Sequence, residues 1–211
     1  MTLIWIFAAA LAVFVAYVLN EIRKIGIPTT GPKIDKPARP GAALMVIDMQ
    51  SDFTSSPAWS TEQMDNALAQ IQTQVAQARS NGMPVIEVRH VFRGRLANLL
   101  NGWFNKGRGN EGSPGLATDG RLGLQPDLEV IKSVGDAFSN SALDQFLSEQ
   151  SIGTLILTGL DGCHCVNKTA RGALNRGFDV QVATDAVLAA NCDHWTKVSK
   201  DLAQAGAKLT P

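Results

Sequence analysis

The sequence predicts an α/β chain, a parallel sheet covered by helices on both faces, preceded by one N-terminal transmembrane helix. Short apolar runs alternate with helical patterns from Ala42 onward, as parallel strands joined by crossover helices require. The apolar runs are nearly continuous, ALMVIDMQ over 43–50 being the clearest, which suits strands buried on both faces. Ahead of them Leu3–Leu19, LIWIFAAALAVFVAYVL, carries no charge over 17 residues. That is the short end of what spans a hydrocarbon core roughly 30 Å thick.

The N-terminal run reads as an uncleaved anchor. Trp5 and Tyr17 lie near its ends, where amphipathic rings prefer the interface. No basic residue precedes it and no small-x-small cleavage site follows it, which argues against a signal peptide. Arg23, Lys24, Lys33, Lys36 and Arg39 all follow the run, so the positive-inside bias places the remainder of the chain in the cytoplasm. Residues 1–25 are thus expected to form a transmembrane anchor. Residues 26–41, with Pro28, Pro32, Pro37 and Pro40, should be an extended tether outside the core. Residues 42–211 make the soluble domain.

Ala42–Met49 is the first strand, interrupted by Asp48 near its C-terminal end. Ser60-Thr-Glu-Gln63 is a capping-box pattern. It opens a helix whose Met64, Leu68, Ile71, Val75 and Ala78 share one face, with Gly82 as its stop. Pro84–His90 is the second strand. Residues 92–127 are rich in glycine and read as a long irregular connection, of a kind that is usually functional or interfacial. Leu128–Lys132 is the third strand, followed by a helix over Ser141–Glu149. The fourth strand, Thr154–Thr158, runs through a glycine-containing corner into a helix over Val166–Arg176, closed by Gly177. Asp179–Ala183, a helix over Asp193–Ala205 and Ala207–Thr210 complete a six-stranded parallel sheet in a three-layer αβα, Rossmann-like fold. Ligands of such sheets bind beyond the carboxyl ends of the strands. Asp48, Lys132 and Cys165 all fall there.

Composition narrows the chemistry. Lysine plus arginine equals aspartate plus glutamate at 19 each, so nothing points to nucleic acid or another polyanion. Three cysteines make no disulfide framework, and Cys163-x-Cys165 has neither zinc-knuckle nor thioredoxin spacing. Cys165 stands where a strand meets a helix N-terminus, whose unpaired N–H groups favour a thiolate and can hold an oxyanion. The plainer alternative is a small apolar side chain filling a gap under the sheet. A carboxylate such as Asp48 could take the thiol proton, and a lysine such as Lys132 would lower the thiol pKa.

Three stretches resemble the isochorismatase-like cysteine hydrolases, relatives of nicotinamidase and the N-carbamoyl amidases. They are Leu44-Met-Val-Ile-Asp48-Met-Gln-Ser-Asp52-Phe53, Lys132-Ser-Val-Gly-Asp-Ala-Phe138 and Gly159-Leu-Asp-Gly-Cys-His-Cys165-Val166. The resemblance covers about residues 41–211. It implies an Asp48–Lys132–Cys165 triad, a cis peptide at Leu160–Asp161 and an oxyanion hole formed by the backbone N–H groups of Asp161 and Cys165. It implies amide or carbamoyl C–N hydrolysis of a small molecule through a thioester, no cofactor, and a homo-oligomer, dimer or tetramer. The competing reading is a catalytically silent binding or assembly module at the membrane, because Asp161 and Gly162 replace the residues common at this corner. Nicotinamidases carry an Asp-x-His…His metal set. His90 stands alone here, so no metal is expected. Phe53, His90, Trp103 and Phe138 are expected around the substrate pocket. For His90 a core position is the alternative, and for Trp103 a surface loop.

Overall fold

The computed structural model describes residues 2–211, apart from the side chains of 2–4, 8, 10, 19–25, 95–97 and 104. Six strands, β1 (Gly41–Ile47), β2 (Val85–His90), β3 (Leu128–Lys132), β4 (Ile152–Leu160), β5 (Asp179–Leu188) and β6 (Lys208–Thr210), form one sheet. Their order is β3-β2-β1-β4-β5-β6 and every neighbouring pair is parallel. Among the described residues seven α-helices accompany them: α1 (Thr2–Gly26), α2 (Ser51–Thr54), α3 (Thr61–Ser80), α4 (Arg95–Asn105), α5 (Ser141–Glu149), α6 (Asn167–Arg176) and α7 (Cys192–Gln204).

Alternate residues of the central strands feed two cores. Leu44 and Val46 of β1 pack with Met64, Leu68 and Ile71 of α3 on one side. Met45 and Ile47 pack with Leu143, Ala170, Ala173 and Leu202 of α5, α6 and α7 on the other. All these residues are buried, which is why β1 and β4 read as continuous apolar runs. The capping box at α3 is closed in both directions: Gln63 N–H donates to Ser60 Oγ at 3.1 Å, and Ser60 N–H to Gln63 Oε1 at 2.9 Å.

Strand order turns around between β1 and β4, and the crevice at that switch point is where this architecture binds ligands. Gly159 lets β4 close on β1 there. Its φ is +104°, and a Cβ would stand 2.1 Å from the Ile47 carbonyl oxygen. Beyond it the Leu160–Asp161 peptide is cis, as the resemblance implied. A π-helical turn over Gly162–Val166 then carries Cys165 into α6.

The connection over 92–127 differs from the expectation of an irregular loop, because it contains α4. Leu96, Leu99, Leu100, Trp103 and Phe104 have helical spacing, but glycines at 94, 102, 107 and 109 obscure it. β5 also runs five residues past the expected Ala183. Its pairing with β4 jumps from Leu157↔Val182 to Gly159↔Val187 while Ala183 pairs with Thr210 of β6.

Residues 27–40 include a 3-10 turn over Lys36–Ala38 and are docked on the domain, where an extended tether outside the core was expected. Asp136, 1 % exposed, accepts from Thr29 N–H at 2.7 Å and Thr29 Oγ1–H at 2.8 Å. Arg176 Nη1 donates to Thr29 Oγ1 at 2.8 Å, and Ile34 N–H to the Arg176 carbonyl at 2.8 Å. Gly172 makes room for the carboxylate, since a Cβ there would lie 2.3 Å from Asp136 Oδ2. Proline spacing did not disclose these partners. Thr29→Ala removes a hydrogen bond to a buried carboxylate, so it should cost about 1–3 kcal/mol. Removal of residues 1–40 should destabilise more than removal of 1–26, which keeps the clasp. Thermal unfolding of the three proteins checks this order.

The described side chains of α1 from Trp5 to Tyr17 are exposed, and Val18 is half-buried. Among the described residues no helix is long and apolar enough to cross a membrane. Positions 3, 4, 8, 10 and 19 of the expected anchor Leu3–Leu19 lie outside the described side chains.

Candidate active site

Four strand ends supply the site. β1 delivers Asp48, which takes φ +54°, a left-handed conformation that aspartate tolerates better than most residues. β2 ends at His90, and in the β2–β3 register His90 lies directly beside Lys132. β4 leads through the π-helical corner to Cys165. The residues are far apart in the chain; parallel strand direction brings them to one edge.

Lys132 is the hub. Its Nζ lies 2.8 Å from Asp48 Oδ2, 3.2 Å from Cys165 Sγ and 3.0 Å from His90 Nδ1. The side chains of Lys132 and Asp48 are 0 % and 3 % exposed. Burial works against the Lys132 ammonium, but Asp48 and Cys165 outweigh it and its pKa is raised. Burial likewise raises the pKa of Asp48, with Lys132 pulling it back. A buried ion pair of this kind persists because each charge is held by the other.

Cys165 departs from the expectation of a thiol acidified by lysine. Burial, and then the Asp48 carboxylate, push its pKa up to about 12 despite Lys132. The resting group is therefore a thiol beside a buried carboxylate whose pKa is raised. Such a pair suits general-base activation, in which the proton leaves as sulfur attacks.

Asp48, His90 and Cys165 offer donor atoms within 4.8 Å of one another, the one such group among the described residues. The donor types would suit a transition metal. The Lys132 ammonium, however, lies within 3.2 Å of all three donors, so a cation already occupies the space a metal ion would need.

The structure thus brings together Asp48, Lys132, Cys165 and His90. His90 is both buried and part of the cluster, so the two sequence readings of it merge. Asp161 caps the corner, accepting from Cys163 N–H at 2.7 Å and from Ala190 N–H at 3.0 Å. Phe53 is partly buried and lies against Gly109. Phe138 is a core residue rather than a pocket wall: it is 4 % exposed, 5.6 Å from the Phe178 ring and under the Arg176 guanidinium at 4.6 Å. Trp103 is 78 % exposed on α4, so within this chain it closes no pocket.

Two contributors escaped the sequence reading. Gln50 clamps the end of β2, accepting from His90 N–H at 2.6 Å and donating to the His90 carbonyl at 3.1 Å. Phe92 packs against the imidazole with centroids 4.3 Å apart and the ring planes tilted by 50°. A glutamine three residues past a strand end carries no signal of its own, whereas His90 and Phe92, two apart on an extended segment, share a side.

Known proteins share the sequence pattern and the fold. A family model described as the isochorismatase domain matches residues 42–211. The uncharacterized isochorismatase family protein YddQ of Bacillus subtilis is 25 % identical, over 68 % of this chain and 76 % of its own. N-carbamoylsarcosine amidase of an Arthrobacter species is 30 % identical, over 64 % of this chain and 55 % of its own. The solved N-carbamoylsarcosine amidase of Thermoplasma acidophilum superposes with a TM-score of 0.68 at 25 % identity, covering 81 % of this chain and 95 % of that one. With that domain matched from β1 to the C-terminus, this chain belongs to the isochorismatase family of hydrolases.

Proposed function

We propose that this chain is a cysteine hydrolase that cleaves an amide or carbamoyl C–N bond of a small molecule through a Cys165 thioester. The observation that carries the reading is the placement of Lys132 Nζ between Asp48 and Cys165. As Cys165 Sγ bonds to the carbonyl carbon, its proton passes to Asp48 and the carbonyl π electrons move onto oxygen. Backbone N–H groups of Asp161 and Cys165 receive that oxyanion. The C–N bond then breaks, Asp48 returns the proton to the departing nitrogen, and the amine or ammonia leaves. Water attacks the thioester with its proton taken by Asp48, the C–S bond breaks, and sulfur regains a proton.

The similarity to N-carbamoylsarcosine amidases supports the bond class. A panel of amides, ureas and carbamates, assayed for released amine or ammonia, tests it. Release by the parent and not by Cys165→Ser supports the reading; release that persists in Cys165→Ser removes it.

The acid side of activity follows from the same pair. Asp48 must be ionised to act as base, and burial raises its pKa. Activity should therefore fall with decreasing pH at a point above the ordinary aspartate value, about 3.9. A kcat/KM profile that stays flat down to that value would contradict the assignment of Asp48.

We also propose that Leu3–Leu19 anchors this domain at the cytoplasmic face of a membrane. Its support is the uncharged run, the exposure of its described apolar side chains and the basic residues on one side only. Protease added to sealed vesicles of known sidedness should digest the domain from the cytoplasmic side. Digestion from the opposite side alone would reverse the orientation.

A further inference from the structure

A lysine ammonium has three N–H donors and no acceptor. Lys132 has three acceptors around it, and only two belong to the proposed triad. The third is His90 Nδ1, at 3.0 Å. We infer that His90 is a positioning residue: its Nδ1 lone pair takes the third Lys132 proton and so fixes the direction of the other two, toward Asp48 Oδ2 and Cys165 Sγ. This inference rests on the hydrolase reading above and adds to it a specific atom with a specific job.

The imidazole is fitted to that job. To accept from an ammonium, Nδ1 must be unprotonated, which places the ring proton on Nε2, a buried atom with no hydrogen-bond partner among the described residues. The ring stays neutral because burial, then the charges of Lys132 and Lys168, hold its pKa down at about 2. The charged or titratable groups around it are Asp48 from the end of β1, Lys132 from β3, Cys165 from the corner and Lys168 from α6. Ring orientation is set from two sides. Gln50 holds the His90 backbone through both its N–H and its carbonyl, and the tilted ring of Phe92 packs against the imidazole.

Other residue types would serve worse. A carboxylate in place of His90 would bury a second negative charge against Asp48 and compete with it for the ammonium. A hydrocarbon would leave a Lys132 N–H buried without a partner. A neutral acceptor satisfies the third N–H and leaves the Asp48–Lys132 charge balance unchanged. His90 Nδ1 is also 4.0 Å from Cys165 Sγ, too far to deprotonate it but close enough to exclude water from that side of the sulfur.

The test uses the full-length chain in detergent micelles and iodoacetamide as probe, with alkylation of Cys163, Cys165 and Cys192 followed separately by peptide mass mapping. In the parent, Cys165 should react faster than the exposed Cys192 at neutral pH, because Asp48 takes its proton as the C–S bond forms. His90→Ala should slow Cys165 at least about tenfold at neutral pH and shift its pH–rate profile upward, because a wandering ammonium no longer steadies the sulfur. His90→Asn places an amide oxygen near the Nδ1 position and should restore the rate to within about threefold. His90→Gln places its amide group further out and should not.

Parental rates in His90→Ala, or equal slowing in His90→Asn and His90→Ala, would overturn the inference, the second outcome assigning the ring to packing alone. A parent whose Cys165 is no faster than Cys192 would instead overturn the hydrolase reading itself, before any His90 variant is compared. Circular dichroism of each variant, with the Cys192 rate as an internal reference, separates these outcomes from unfolding.

Discussion

Cys165→Ser should lower turnover by at least about 10³-fold while leaving the fold unchanged, the scale on which nucleophile removal acts in enzymes whose catalytic groups work as a unit. The reason is local. Asp48 and Lys132 are arranged for a thiol, whose proton is far easier to remove than that of a serine hydroxyl. Serine is smaller than cysteine but fits the same half-buried site, so the Lys132–Asp48 pair, 2.8 Å apart, should remain. Unfolding curves of parent and variant should then coincide within about 1 kcal/mol, as for most substitutions without a named destabilising mechanism. Activity within a few-fold of the parent would take Cys165 out of the reaction.

Lys132→Met should be the most damaging single change in the molecule. It leaves Asp48 buried without its counter-charge, and breaking a buried pair from one side typically costs about 3–5 kcal/mol. Asp48 would respond by binding a proton, since burial already raises its pKa and Lys132 is what opposes the rise. A protonated Asp48 is no base, so turnover should vanish together with stability. Asp48→Asn combined with Lys132→Met separates the two losses. The double variant carries no unpaired charge and should recover much of the stability, yet remain inactive. Chemical denaturation of the three variants measures this. A double variant no more stable than Lys132→Met would show that the loss comes from packing of the lysine stem.

Much of this was legible in the sequence because it is written in short-range patterns. The apolar runs of β1 and β4 report burial on both faces, and the Ser60–Gln63 pattern reports a helix start that closes as expected. That Asp48, Lys132 and Cys165 would meet at one sheet edge was legible because each stands at or just past a strand end in a parallel sheet. What escaped depends on contacts between distant segments. Thr29 reads as an ordinary polar residue in a proline-rich stretch; only the fold reveals Asp136 and Arg176 waiting for it. Phe138 follows the lysine motif closely, yet the chain turns between them and sends the ring under Arg176. His90 offered two readings, core or pocket, and the β2–β3 register resolves them by setting it beside Lys132. The pKa of Cys165 escaped for the same reason. A nearby lysine predicts acidification, but the balance turns on burial and on Asp48, neither of which the spacing discloses.

The central claim, that Cys165 sulfur carries the acyl group, is tested most directly by rapid acid quench of the full-length protein during turnover of the first amide or carbamoyl substrate identified. Fragment-ion mapping then locates any added mass among the three cysteines. The account predicts the acyl or carbamoyl mass on Cys165 alone, rising before product and absent from Cys165→Ser. Its appearance on Cys163 or Cys192 instead, or product formed with all three cysteines unmodified throughout, would contradict it.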